Sequence, residues 1–425
     1  MKYFLLFIVC FAALYGYYVY TKTKDLLNPI LTFSLPILLS VVVNLIFYDR
    51  GSYDISPRTY GVYLLGVAAF VCGCAVTIRP SSAKRVLQPV KLNYNSLVFN
   101  GYKLIAAIGT VFSIFYIFKG AASGVFGTNV IRNIRWYSLY VEQNSFIGKY
   151  SIVFIEIGFC IYAYKVCVLE HRDRKTKCWL LLFAIEYIVA IMTTMARTAI
   201  LQFAVETAYF FMWGIQNKHR RRKRNSRFKI AILAAAALYA MQFLAIRTEK
   251  AFYLDDITGK TTNWLIPYLG KQFYIFDRFI LPHAWVTRGI NSFGFLGRVL
   301  QKLGILIPKY PIRIPGGQVA SFITDPYTDF GAVGVIMVML INGIVIGYIY
   351  RHAVKYSGWW LMFYSVCVYS CVISFYAFQF AMSSQLYFAV AALLLFVDGK
   401  LHLHVRDLSE WRKSQIKYLS YKSYQ

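Results

Sequence analysis

"DPYTDFGAVGVIMVMLINGIVIGYIY" (Asp325–Tyr350) sets two aspartates four residues apart directly ahead of about twenty apolar residues. A helix rises 1.5 Å per residue, so about 20 apolar residues cross the hydrocarbon core of a bilayer. The same pattern recurs from Tyr3 to Lys400. The approximate limits are 3–20, 26–47, 59–78, 96–118, 148–169, 178–195, 198–216, 229–246, 329–350, 358–380 and 384–399. The stretch 178–216 is too long for one helix and is read as a tight hairpin turning at Met195-Ala196-Arg197. Of 425 residues, 58% are hydrophobic and only 15% charged, against roughly 25% charged in soluble domains. The expected fold is therefore all-α: one integral membrane domain over 1–425, a polytopic transmembrane helical bundle of about eleven spans. The first span is long for a signal peptide, and no A-x-A site follows it.

The 46 lysines and arginines against 18 acidic residues leave a formal charge of +28. Such a balance can mark a nucleic-acid partner. Here the densest basic run, "KHRRRKRNSRFK" (Lys218–Lys229), lies between two apolar runs, so it reads as a cytoplasmic loop (217–228) obeying the positive-inside rule. Alternating outward from it puts "TKTK", "RPSSAKRVLQPVK", "HRDRKTK", "RHAVK" and the basic tail 400–425 inside as well. The N-terminus is then outside and the C-terminus cytoplasmic. Two long segments fall outside: 119–147 and 247–328. Loops of that length are often functional. Within the second, Phe295, Leu296, Val299, Leu300, Leu303, Leu306 and Ile307 recur at helical spacing with Arg298, Gln301 and Lys302 opposite, as in an interfacial amphipathic helix. "WLIPYLGKQFYIFDRFILP" (Trp264–Pro282) is read as a second such stretch. The eight cysteines lie in or beside apolar runs with no CxxC pair, which implies neither a disulfide framework nor a zinc site.

No GxxxxGK[ST], HExxH or G-x-S-x-G occurs. Of six histidines only His283 falls outside. The outside face is instead rich in arginine: Arg132 and Arg135 in the first long loop, Arg197 at the hairpin turn, and Arg247, Arg278, Arg288 and Arg313 in the second. The guanidinium fork matches phosphate oxygens bidentately, so arginines on separate outside elements suit a pyrophosphate at the membrane surface. The plainer reading is solvated or snorkelling loop charges. Asp329 opens the ninth span, where an aspartate also favours a helix N-terminus. Asp325 precedes a proline and reads as a turn residue. Glu186 and Glu206 lie about ten residues from the hairpin turn on opposite arms, at a similar depth, and read as structural or cavity-lining groups.

Many spans, a large outside loop late in the chain, outside arginines, "ARTAIL" (Ala196–Leu201), "DFGAVG" (Asp329–Gly334) and the spacing Arg278-x10-Gly289 together resemble Wzy-type polymerases, the O-antigen and capsule repeat-unit polymerases of bacteria. The resemblance implies residence in the bacterial cytoplasmic (inner) membrane. It implies oligosaccharide repeat units on undecaprenyl pyrophosphate as substrate, membrane lipids around the chain, and a chain-length regulator and a flippase as partners. No nucleic acid, cofactor or metal is expected. Glycosyl transfer of this kind needs a base for the acceptor hydroxyl and cations for the leaving pyrophosphate. Asp329 with Asp325 behind it is the first candidate base, and His283, with its near-neutral pKa range, the other. Two alternatives stand beside this reading: a lipid-linked oligosaccharide flippase or other transporter, and an O-antigen ligase.

Overall fold

The computed structural model describes residues 1–23, 25–48, 54–78, 89–90, 92, 94, 96–141, 146–216, 232, 236–237, 239–244, 247, 265–287, 289–305, 321–380 and 385–399. Among them every regular element is helical, and the only β pairing is one bridge between Ser321 and Ala377. The long helices are α1 (Lys2–Thr23), α2 (Pro29–Phe47), α3 (Pro57–Thr77), α4 (Leu97–Ala122), α6 (Phe146–Ala163, continued by a π-turn through Val168), α7 (Arg174–Thr194) and α8 (Arg197–Gln216). A short α5 (Val130–Tyr140) follows α4. Later come α9 (Leu265–Gly270), α10 (Gln272–Ile275), α11 (Phe295–Lys302), α12 (Thr324–Tyr356), α13 (Trp359–Ile373) and α14 (Gln385–Gly399). Seven helices are long and apolar enough to cross a membrane: α1, α2, α3, α4, α6 with its π-turn, α7 and α12. The chain is thus an all-helical membrane protein. Helices α13 and α14 are apolar but shorter. Most of the expected span 229–246, the basic loop 217–228 and the tail 400–425 lie outside the described residues.

The hairpin forms where the sequence places it. Helix α7 stops at Thr194, Met195 takes a left-handed conformation (φ 47°), and its N–H returns to Ile191 O, before α8 starts at Arg197. Proline and a polar cap set the starts of α2 and α3: Asn28 and Ser56 accept from the third residue onward, and Pro29 and Pro57 occupy first-turn positions whose N–H has no helical partner.

The bundle's most extensive helix pair is α3 with α12. Gly73 and Gly343 make their closeness possible. A Cβ at Gly343 would sit 2.3 Å from Phe70 O, and one at Gly73 would sit 2.4 Å from Leu340 O. Lipid supplies no hydrophobic drive between helices, so small residues that admit close backbone approach carry the packing.

The loop 247–328 departs from the expected surface arrangement. Residues 265–280 do not lie along an interface. Leu269, Phe273, Phe276 and Ile280 are all buried, and Phe273 stacks on Tyr63 of α3 with ring centroids 4.2 Å apart. The cause is polar. Ser40 of α2 donates to Leu269 O, and Asn44 Nδ2 donates to Gly270 O at 2.9 Å, so the carbonyls ending α9 are satisfied inside the bundle. A second anchor is Asp277, which accepts from Ser56 N (3.1 Å), Ser56 Oγ (2.5 Å) and Thr59 Oγ1 (2.5 Å) at the start of α3. Segment 321–329 is also buried, held by Ser321 N to Tyr376 O (3.0 Å) and Phe322 N to Ser374 O (2.9 Å) beyond the end of α13. Among the described residues of this loop, α11 keeps the expected surface character, with Leu296, Leu303 and Ile305 exposed around it.

Gly343→Val forces α3 and α12 apart. Overpacking of this kind costs about 1–3 kcal/mol. The expected result is a lower melting temperature of the detergent-solubilised protein, with Gly61→Val on open surface as the control that leaves it unchanged.

Candidate functional site

Arg197, the first residue of α8, is buried at 8% exposure. Its guanidinium lies over the Tyr268 ring, 4.4 Å from the centroid, and Nη2 donates to the Tyr268 hydroxyl. Tyr268 in turn stacks on Tyr376, with centroids 4.6 Å apart and hydroxyls 3.3 Å apart. Arg135 arrives from α5. Its Nη1 donates to Met195 O at 2.8 Å and Thr194 O at 3.4 Å, the carbonyls that end α7, where a cation is favoured. Burial first, and then the like charge of Arg197, lowers the Arg135 pKa from its ordinary value. Two guanidinium groups on separate elements therefore face one tyrosine pair.

Arg247 joins this end of the bundle through its backbone: Asn129 Nδ2, beside the start of α5, donates to Arg247 O at 3.1 Å. Leu244 packs with Ile134 and Met195 in the same place. The Arg247 side chain lies over Phe243 and that of Arg132 over Phe126, at 5.6 and 4.0 Å. Arg278 stands apart, exposed and 6.0 Å from the Tyr274 ring centroid. Arg288 and Arg313 lie outside the described residues.

Asp329 is fully buried. Its Oδ1 accepts from Thr287 Oγ1 at 2.5 Å and its Oδ2 from Ser292 N at 2.6 Å. These bonds run to another segment and not to the first turn of its own helix. They are reinforced by Val286 N and Thr287 N on Thr328 O, at 2.8 and 3.2 Å. The rest of "DFG..G" serves the same junction. Phe330 meets Trp285 and Phe293 edge-on, at 5.7 and 5.8 Å. Gly331 breaks α12 with φ 64° and ψ −155°, a conformation open essentially to glycine alone. Gly289, the glycine of the Arg278-x10-Gly289 spacing, has φ 92° and packs so tightly that a Cβ would lie 2.7 Å from Phe293 and 2.8 Å from Phe330.

Asp325 lies in the first turn of α12 and not in a free turn, because a first-turn proline such as Pro326 fits a helix start. Its carboxylate is half-buried and takes no hydrogen bond among the described residues. One helical turn separates it from Ser321, whose N–H meets Tyr376 O, so it connects to the arginine–tyrosine cluster through two residues. His283 is half-buried on the segment that leads to Trp285.

Deeper in the bundle sits a group that sequence reasoning half missed. Gln202 Nε2 donates to Glu156 Oε1 at 3.0 Å and to Glu206 Oε1 at 3.1 Å, and Tyr187 OH donates to Glu206 Oε2 at 3.4 Å. Both carboxyls are buried. Glu206 pairs with Glu156 of α6, while Glu186 contributes nothing to the pair. The signal for Glu156 was available: it is an ionisable residue inside the apolar run 148–169.

Asp329→Ala leaves the Ser292 N–H without its acceptor. Hydrogen bonds to a charged group contribute about 1.5–3 kcal/mol, so a loss of that order is expected in thermal unfolding of the purified protein. Asp329→Asn keeps one acceptor for Ser292 N and a donor for Thr287 Oγ1, so it should retain most of that stability.

Comparison with known proteins finds no matching family model, no matching curated protein and no matching solved structure.

Proposed function

We propose that the chain joins oligosaccharide repeat units carried on undecaprenyl pyrophosphate, at the outer face of a bacterial cytoplasmic membrane, with lipid pyrophosphate as leaving group. The observation that supports this reading most is the meeting of Arg135 and Arg197 at the Tyr268–Tyr376 pair, on the end of the bundle that the positive-inside assignment puts outside. In this reading the chain spans the membrane eleven times, with the N-terminus outside. Arg135 and Arg197, flanked by Arg132 and Arg247, hold the pyrophosphate and stabilise its developing charge.

Asp325 serves as the base. A base must reach the acceptor hydroxyl directly or through one water. Asp325 keeps both carboxylate oxygens unengaged by described residues, whereas Asp329 spends both on Thr287 and Ser292. Asp329 is then a positioning residue for the α12 start that carries Asp325. His283 is the reserve base. The O-antigen ligase alternative uses the same groups on a different acceptor.

The test is reconstitution with lipid-linked repeat units and no nucleotide sugar, read as a polymer ladder on a gel. Asp325→Asn should abolish the ladder in a folded protein. Arg197→Lys keeps charge but loses the fork and should slow polymerisation by at least about tenfold. Full activity of Asp325→Asn moves the base to His283. Absence of any ladder from the wild-type chain defeats the proposal.

The buried Glu156–Glu206 pair favours a second reading, a transporter whose coupling runs through those carboxyls. The two readings separate on Glu206→Gln. Polymer formation should survive this change, and its complete loss at normal protein levels favours transport.

A further inference from the structure

A narrow groove of about 260 Å³ lies between the two arms of the α7–α8 hairpin, with α6 as its floor. Its cause is the way the arms are held. Gly158 lets α6 take the Phe183 ring of α7, where a Cβ would lie 2.2 Å from the ring. Gly214 lets α8 close on the π-turn, where a Cβ would lie 2.0 Å from Cys167 O. Each arm is thus packed on α6 and its π-turn more than on the other arm, and the two part as they leave Met195. Leu181, 63% exposed, opens the groove to the side. Phe159 and Phe203 close its far end with ring centroids 5.1 Å apart, and both rings also meet Tyr187. From Lys177 to Ala184 the helix rises about 10 Å, against about 15 Å for one leaflet of hydrocarbon.

The groove is apolar except at its inner mouth. Thr207 Oγ1 turns back onto Phe203 O at 2.7 Å, while the Lys177 ammonium makes no hydrogen bond or ion pair among the described residues. The charge around that mouth is out of balance. Helix α7 opens with Arg174, Lys175 and Lys177, all exposed, at the helix end whose dipole disfavours cations. The neighbouring acids are engaged elsewhere. Asp173 caps Thr176 N and meets His171 Nε2, both at 2.9 Å, and Glu170 faces Arg172 at 3.9 Å. The positive-inside rule accounts for basic residues on this side of the membrane. It does not account for one that lines an apolar groove open to hydrocarbon.

We infer that this groove seats one acyl chain of an anionic glycerophospholipid from the cytoplasmic leaflet, with the lipid phosphate against Lys177 and Arg174. A bilayer offers chains to any groove that opens on its hydrocarbon, so the charge at the mouth decides which lipid stays. An anionic head meets uncompensated cations there, whereas a zwitterionic head brings a cation of its own. The seated lipid fills the wedge between the hairpin arms and braces the hairpin whose outer turn leads into Arg197. The inference does not depend on which reaction the chain carries out.

The experiment reconstitutes the full-length protein in vesicles of equal parts phosphatidylcholine and phosphatidylglycerol. A photo-crosslinking residue stands at Leu181 or, as the control, at Ile185, which is exposed and outside the groove lining. Mass spectrometry of the adducts gives the ratio of the two headgroups. The phosphatidylglycerol ratio at Leu181 should exceed that at Ile185 about fivefold, the worth of one basic residue near an anionic head. Lys177→Gln, a change on exposed surface, should remove most of that excess, and raised salt should lower it by screening. Equal ratios at the two positions, or an excess that Lys177→Gln leaves unchanged, overturn the inference. The comparison of Leu181 with Ile185 stands whether or not the lysine variant folds. Neither readout involves polymer, so failure here leaves the proposed reaction untouched.

Discussion

Two side chains of α2, Ser40 and Asn44, meet the carbonyls of Leu269 and Gly270, and the entry of α9 into the bundle hangs from them. Backbone that leaves a helix inside a membrane bundle must find its partners within the protein, because no water is at hand to take them. Satisfied in this way, α9 enters between the spans and brings Tyr268 under Arg197. Asp277 fixes the next turn to α3, and Asp329 fixes 287–292 to α12. Polar residues in this half of the molecule therefore act mainly as clamps, and Asp325 is unusual in holding a carboxylate that takes no hydrogen bond from the described residues.

The arginine cluster follows from the same constraint. Arg135 is spent partly on the carbonyls that end α7, and Arg197 lies flat on an aromatic ring. A guanidinium held in this way loses little freedom on meeting an anion, and burial strengthens its attraction because less water screens it. Like charges are also kept close at a cost, as the lowered pKa of Arg135 beside Arg197 shows.

Apolar length and basic loops were enough to read the α7–α8 turn at Met195 and the limits of most described helices to within a few residues, since both depend on local composition. The insertion of 265–280 was not legible. Its partners Ser40 and Asn44 stand 229 and 226 residues away, and the segment's own amphipathic pattern suits an interface equally well. For Asp329 the neighbouring sequence suggests a helix cap, and only the return of Thr287 and Ser292 changes that. The gathering of Arg135 and Arg197, and the separation of Arg278 from them, likewise depends on which loops fold inward.

The order in which a ribosome delivers these pieces has a consequence for biogenesis. The insert's anchors lie on both sides of it in the chain: Ser40, Asn44, Ser56 and Thr59 emerge early, while Ser374 and Tyr376 emerge last. The early helices, α1 to α4, α6 and α7 among them, are made with no insert to pack between them, so α2 and α3 must wait with polar faces unfilled. The bridge between Ser321 and Ala377, and the bond from Phe322 N to Ser374 O, come only once α13 has arrived. The site is therefore closed by the final third of the chain, and a nascent protein arrested before α13 holds its early spans but no assembled centre.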